Sequence, residues 1–409
     1  MIRPSDTAVV GAPLVFDPFS EQFYTSPYET YRRLRDEAPV YYSAKYDFWA
    51  LSRFEDVSAA YRDHDTYSSA KGVTLDMIQI ADMIKDVPAQ IIWLDPPEHD
   101  RMRKLINKAF TPRAVTALET SVHDTIHRLL AGVDPDTFDV VAEFAAPFPV
   151  EIITTMLGVP VEDRQQIRYW IDEFLNREPG SIMPTQRGWE AQIAMGEYFQ
   201  HLVSHRRKHP QDDMLTRLIA AEISDDDGAI RRLTDGEIVG FARLLGGAGA
   251  ETVTKLIGNA VVVFADNPVQ WQKLLADRSK IPAAVEELLR FDGPLQYNFR
   301  HTTRSVTLHG TTIPAQTPVM LITGSANRDE RVYPDADRFD IERDRKFHLG
   351  LGYGVHSCLG AALARMEARI ALNALLDHMP HYEIDKSNLR RVSMTNVCGW
   401  SHVPVRVLP

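Results

Sequence analysis

The sequence predicts a mainly α fold with a small β portion, built as one domain over residues 1–409. Three observations predict it. A helical pattern runs unbroken from Thr234 up to Asn267-Pro268, another follows Cys358 and continues to Met379, and the alternating, strand-like runs are short and few. At 1.5 Å per residue the first helix would be a rod of roughly 50 Å, enough to cross the whole molecule. Thr234 with Glu237 three residues on marks its start as a capping box.

The other elements follow in order. Residues 28–37 read as a helix ended by Ala38-Pro39, and 40–42 and 48–52 as strands. Residues 72–92 are weakly patterned and read as a long loop, the kind of segment that often carries function. Asp95-Pro96-Pro97-Glu98 reads as a helix start with Asp95 as N-cap, and Thr111-Pro112 repeats the signal for a helix over 109–130. Further helices are expected at 213–221 and 281–291, the latter stopped by Asp292-Gly293-Pro294. Short strands at 305–309 and 318–323 precede a Pro- and Asp-rich irregular stretch over 327–346.

Bulk composition narrows the function classes. Apolar residues at 44% and charged residues at 25% are an ordinary globular mix. A net charge of −11 argues against a nucleic-acid or anionic-membrane partner. Two cysteines, Cys358 and Cys398, are too few for a disulfide framework and suit a reducing compartment. The opening Met1-Ile2-Arg3-Pro4 does not lead into an apolar stretch, so no signal peptide is expected. The longest apolar run, around 256–265, is interrupted by Asn259 and is far shorter than the ~20 residues of a membrane span. The expectation is a cytoplasmic protein.

Two segments carry chemistry. In Leu351-Gly352-Tyr353-Gly354-Val355-His356-Ser357-Cys358-Leu359-Gly360, two glycines suggest a tight turn needing unusual backbone angles, and Cys358 opens a helix. A cysteine before a helix is most often a small buried hydrophobe, but the helix dipole and free N–H groups there also favour a thiolate. In Leu245-Gly246-Gly247-Ala248-Gly249-Ala250-Glu251-Thr252, three mid-helix glycines each cost about 0.5–1 kcal/mol relative to Ala. Either small-residue packing against another helix or close approach of a flat ligand would justify them. Thr252 can also bond back to a carbonyl one turn earlier.

Together these segments resemble the cytochrome P-450 family. The first resembles its haem-binding loop, Phe-Gly-x-Gly-x-His-x-Cys-x-Gly, with Leu351 in place of the usual Phe. The second resembles the distal-helix pattern Ala/Gly-Gly-x-Asp/Glu-Thr. The resemblance implies a haem between that helix and the cysteine loop, with Cys358 as the iron ligand. Gly247, Ala248, Leu351, Gly352 and Gly360 would lie against the macrocycle. Thr252 would position protons and Glu251 would feed them, a relay that excludes bulk water. Glu287 and Arg290 resemble the family's Glu-x-x-Arg pair, with Arg338 as the third member of a structural network. His99 and Arg103, one turn apart, resemble its His-x-x-x-Arg, and with Arg300 and His356 would hold the haem propionates.

The implied activity is a monooxygenase that inserts one atom of O2 into a hydrophobic small molecule, on haem b, as a monomer. No flavin or nicotinamide fingerprint occurs, so electrons would come from a ferredoxin and its reductase. Arg101, Arg103, Lys104, Lys108, Arg113, Arg343, Arg345, Lys346 and Arg365 would form the docking patch. The substrate pocket is expected from Met77, Ile80, Ile84, Val87, Phe174, Leu244, Leu295, Gln296 and Val397. A peroxide-driven hydroxylase would lose the acid–alcohol pair, and a haem-thiolate sensor would not need one.

Overall fold

The computed structural model describes residues 14–83, 88, 90–224, 228–344 and 347–409. About 53% of the chain is helical and the sheets are small, as the sequence predicts. The elements that position the site are helices α1 (Tyr28–Glu37), α2 (Glu98–Ala109), α3 (Pro147–Leu157), α4 (Arg164–Leu175), α5 (Gln186–Lys208), α6 (Asp235–Asp266), α7 (Ile281–Phe291) and α8 (Ala361–His378). Strands β1 (Val40–Ser43), β2 (Phe48–Leu51), β3 (Tyr67–Ser68), β4 (Asn298–Thr302) and β5 (Pro318–Leu321) form one five-stranded sheet in the order β1-β2-β5-β4-β3. Only the β2–β5 pair is parallel.

Helix α6 is the axis of the molecule. Thr234 accepts from the Glu237 N–H while Glu237 reaches back to the Thr234 N–H, the expected capping box. Asn267-Pro268 ends it, because proline cannot continue the hydrogen-bond ladder. It packs against α3, α4, α5 and α8, and most of its length is buried. Residues 140–157 and 235–266 are long and apolar enough to cross a membrane, but 67% of the first, and 72% of the most apolar 18-residue stretch of the second, is buried inside the fold. Their apolar surface already has protein partners, as expected of core helices.

Two helix starts differ from expectation. Asp95 does not cap α2. Its carboxylate is taken by Ser68 Oγ (2.5 Å) and the Ser69 N–H (2.9 Å), so the helix begins at Glu98 after Pro97. The helix expected over 109–130 is two, Pro112–Thr116 capped by Thr111 and Glu119–Leu130. The loop expected over 72–92 contains a one-turn helix, Leu75–Ile80.

Candidate functional site

The cysteine loop is built by its glycines. Gly352 and Gly354 have φ of 70° and 71°, which an L side chain rarely adopts, and a Cβ on Gly354 would also collide with the Tyr61 carbonyl. This double turn lets the Cys358 N–H bond the Leu351 carbonyl at 2.8 Å, closing the loop beneath α8. The Cys358 side chain is exposed into a cavity rather than packed. Burial pushes its thiol up; the Gly360 N–H, Arg103 and Arg365 pull in the opposite direction. Helix α8 starts three residues later, so a neighbouring N–H and two guanidiniums act on the sulfur directly.

The cavity, ≈ 410 Å³, lies between this loop and α6. Residues one turn apart share a helix face, so Arg243, Gly247 and Glu251 form one stripe and Leu244, Ala248 and Thr252 the next; all six line the cavity. The glycines divide by role. A Cβ on Gly249 would come within 2.8 Å of Ile153 on α3, so this glycine serves helix packing, whereas one on Gly247 meets nothing within 4 Å. Thr252 Oγ donates to the Ala248 carbonyl at 2.7 Å, as its position predicts.

Glu251 is only 3% exposed, with Lys255 Nζ 3.0 Å from Oε2. Asp172 on α4 faces it from the other side. Partial burial, then the charge and hydrogen bond of Glu251, raise the Asp172 carboxyl above the ordinary range. Arg168 lies 3.6 Å from Asp172, whose side chain is still 42% exposed. A buried carboxylate thus lies within electrostatic reach of one that meets solvent.

On another side of the cavity His99 and His356 stack edge to face, ring centroids 4.6 Å apart. Each Nε2 is buried without a hydrogen-bond partner among the described residues. Burial, then the neighbouring Arg300, His99 and Arg103, hold His356 near 3. Arg300 on β4 is buried over the Tyr61 ring and gives one bond, to the Phe299 carbonyl. Arg103 bonds the Ser357 carbonyl at 3.1 Å. His99, His356, Arg103 and Arg300 converge here, with Asp100 Oδ1 2.9 Å from His99 Nδ1 as the carboxylate nearest the ring pair.

Comparison with known proteins settles what such a site belongs to. The cytochrome P450 family model matches residues 16–398. The chain belongs to the cytochrome P450 family. A protein of Mycobacterium tuberculosis described as cytochrome P450 123 is 42% identical over 98% of this chain and 99% of its own. The Vitamin D(3) 25-hydroxylase of Pseudonocardia autotrophica is 38% identical over 96% of each chain. The structure of cytochrome P450 CYP109Q5 from Chondromyces apiculatus superposes with a TM-score of 0.85 at 34% identity, covering 96% of this chain and 97% of that one. This P450 is therefore a monooxygenase that takes haem, O2, an organic substrate and electrons from a redox partner.

The residues present fit a haem. Cys358, its side chain open to the cavity, can give one thiolate to an iron that arrives with a macrocycle's own ligands. His99, Arg103, Arg300 and His356 could hold two carboxylates, which would give the ring Nε2 atoms partners and compensate the Arg103 and Arg300 guanidiniums.

The P450's structural network corrects one expectation. Arg290 grips Glu287 with two 2.8 Å bonds and donates to the Asn327 and Ala336 carbonyls. The third member is Arg343, 3.1 Å from Glu287 Oε1, not Arg338. The Arg338 guanidinium turns outward to Asp340; only its carbonyl joins, accepting from Arg290 and Arg343.

Of the expected substrate pocket, Met77, Phe174, Leu244, Leu295 and Val397 line the cavity, the last two joined by a β-bridge. Gln296 does not: its amide donates to the Gly293 carbonyl and accepts from Tyr31, pinning α1 to the segment before β4. Ile80 ends the short helix away from the lining, and Ile84 and Val87 lie outside the described residues. Sequence reasoning missed Asp172, Arg243 and Lys255. Lys255 had a readable signal, one turn beyond Glu251. The docking patch thins too. Arg101 pairs with Glu237, Lys108 with the Glu222 carbonyl, and Arg365 with Glu286 at 2.7 Å. Arg345 and Lys346 lie outside the described residues.

Proposed function

We propose that Cys358 is the sulfur ligand of a haem b iron, and that this P450 inserts one atom of O2 into a hydrophobic substrate with electrons from a ferredoxin and its reductase. One observation carries the reading: Cys358 and the Glu251–Thr252 pair, distant in sequence, line a single, mostly apolar cavity. When bound, the haem supplies O2 binding and redox chemistry, with the thiolate donating electron density.

The protein's own part is proton delivery and exclusion of water. Thr252 Oγ holds its proton on the Ala248 carbonyl and can turn it into the cavity. Glu251, buried and braced by Lys255, replenishes that hydroxyl, and Asp172 connects Glu251 to solvent. Apolar walls from Phe174, Leu244 and Val397 keep other water away. The Vitamin D(3) 25-hydroxylase relative, named for an apolar substrate, supports the substrate class. The exposed Lys104 and Arg113, which carry no ion pair among the described residues, are the remaining cations for an acidic ferredoxin. The reading includes one domain, a monomer and a cytoplasmic setting.

The reconstituted system tests the relay. Thr252→Ala should keep consuming NAD(P)H while product per NAD(P)H falls roughly ten- to hundredfold; unchanged coupling contradicts it. The Asp172 contact makes a separate, pH-dependent prediction. A carboxyl raised in the folded state favours folding below its unfolded pKa, and that contribution is lost as pH rises through the folded value. The Tm of Asp172→Asn minus that of wild type should therefore grow as pH rises across that window. A pH-independent difference contradicts the carboxylate contact.

A further inference from the structure

The charged residues around the cavity are settled, except one. Arg177 is locked by Asp76 at 2.9 Å and by three backbone carbonyls. Glu251 has Lys255, and Arg300 belongs to the histidine cluster. Arg243, two turns before Glu251 on α6, has no ion pair and no hydrogen bond among the described residues. Its Nε is closed off from solvent, and burial lowers the guanidinium's pKa with no neighbouring charge to offset it.

The helix opposite is shaped around this cation. A Cβ on Gly196 of α5 would stand 3.5 Å from Nη1 and 3.7 Å from the central guanidinium carbon, so the group lies against α5 where a side chain is missing. One turn earlier on the same face of α5, Gln192 also lines the cavity, and its Oε1 is buried without a partner among the described residues. An unpaired cation and an unpaired amide in an apolar chamber are expensive to maintain. Such groups are kept where a ligand completes them.

We propose that Arg243 binds an anionic group of the substrate, a carboxylate, with Gln192 as an additional polar contact. The inference rests on reading the cavity as the substrate chamber and narrows the substrate class to a hydrophobic acid. Nine residues separate Arg243 from Thr252, about 14 Å along the helix axis. Oxidation would therefore fall on the apolar body, away from the carboxylate, while Phe174, Leu244 and Val397 hold the rest. A guanidinium can take a carboxylate with two parallel bonds; an ester or alcohol cannot reproduce that.

The test is calorimetric titration of the holoenzyme with matched pairs: dodecanoic acid, hexadecanoic acid and a tetracyclic sterol acid, each against its methyl ester. At least one acid should bind about ten- to hundredfold tighter than its ester, the difference expected of a charged hydrogen bond. Arg243→Gln should erase that preference and Arg243→Lys should keep part of it. Because Arg243 has no partner to lose, both variants should fold, which circular dichroism checks. An ester binding as tightly as its acid in every pair, or Arg243→Gln retaining the preference, overturns the proposal. The ferrous–carbonyl spectrum of the same preparations separates the two readings: a thiolate-type spectrum without acid preference sinks only the anchor, whereas an altered spectrum in wild type sinks the site itself.

Discussion

Glu287→Ala should cost about 3–5 kcal/mol of stability, read as a fall in the urea midpoint. Glu287 is buried, and its carboxylate is shared by Arg290, Arg343 and the Asp340 N–H. Truncation leaves the Arg290 guanidinium, 3% exposed, without its counter-charge, and that uncompensated burial is the largest part of the loss. Arg290 also ties α7 to the Asn327 and Ala336 carbonyls, so the irregular segment leading to the cysteine loop loosens with it. Arg338→Ala is the matched control. Its guanidinium bonds only Asp340 at the surface, so the change should stay within about 0.5 kcal/mol. Equal losses from the two variants would contradict the assignment of Arg343 as the third member.

Cys358→Ser should leave the fold intact and lower product formation by about a thousandfold or more, about 4 kcal/mol on the barrier. The fold survives because the side chain opens into the cavity instead of filling the core. Activity does not, because a hydroxyl beside Arg103 and Arg365 cannot donate electron density as a thiolate does. Product formation by the serine variant within tenfold of wild type would remove Cys358 from the proposed chemistry.

How much of this was legible in the sequence follows from where the determinants lie. Helices α6 and α7 end within a residue of expectation, since Thr234, Glu237, Pro268 and Gly293 are local chemical punctuation. Asp95 misled because Ser68 and Ser69, far back in the chain, take its carboxylate. Arg338 and Arg343 sit in an aperiodic stretch, where neither spacing nor moment says which guanidinium turns inward. The site shows the same division. The loop 351–360 and the Ala248–Thr252 stripe were readable because backbone conformation and helical spacing are encoded locally. Gln296 looked like a pocket residue but spends its amide on Gly293 and Tyr31. Arg243 carries no signal of its own in the sequence; the packing of α5 at Gly196 is what places it as a charge without a partner among the described residues.

The central claim is that the Cys358 sulfur holds the haem iron. The ferrous–carbonyl absorption spectrum of the purified wild-type holoenzyme tests it most directly, with Cys358→Ser measured beside it. The strongly red-shifted Soret band of a thiolate-ligated haem is expected in the wild type and should be lost in the variant. A wild-type Soret band like that of a histidine-ligated haem, or one that survives in Cys358→Ser, would contradict it.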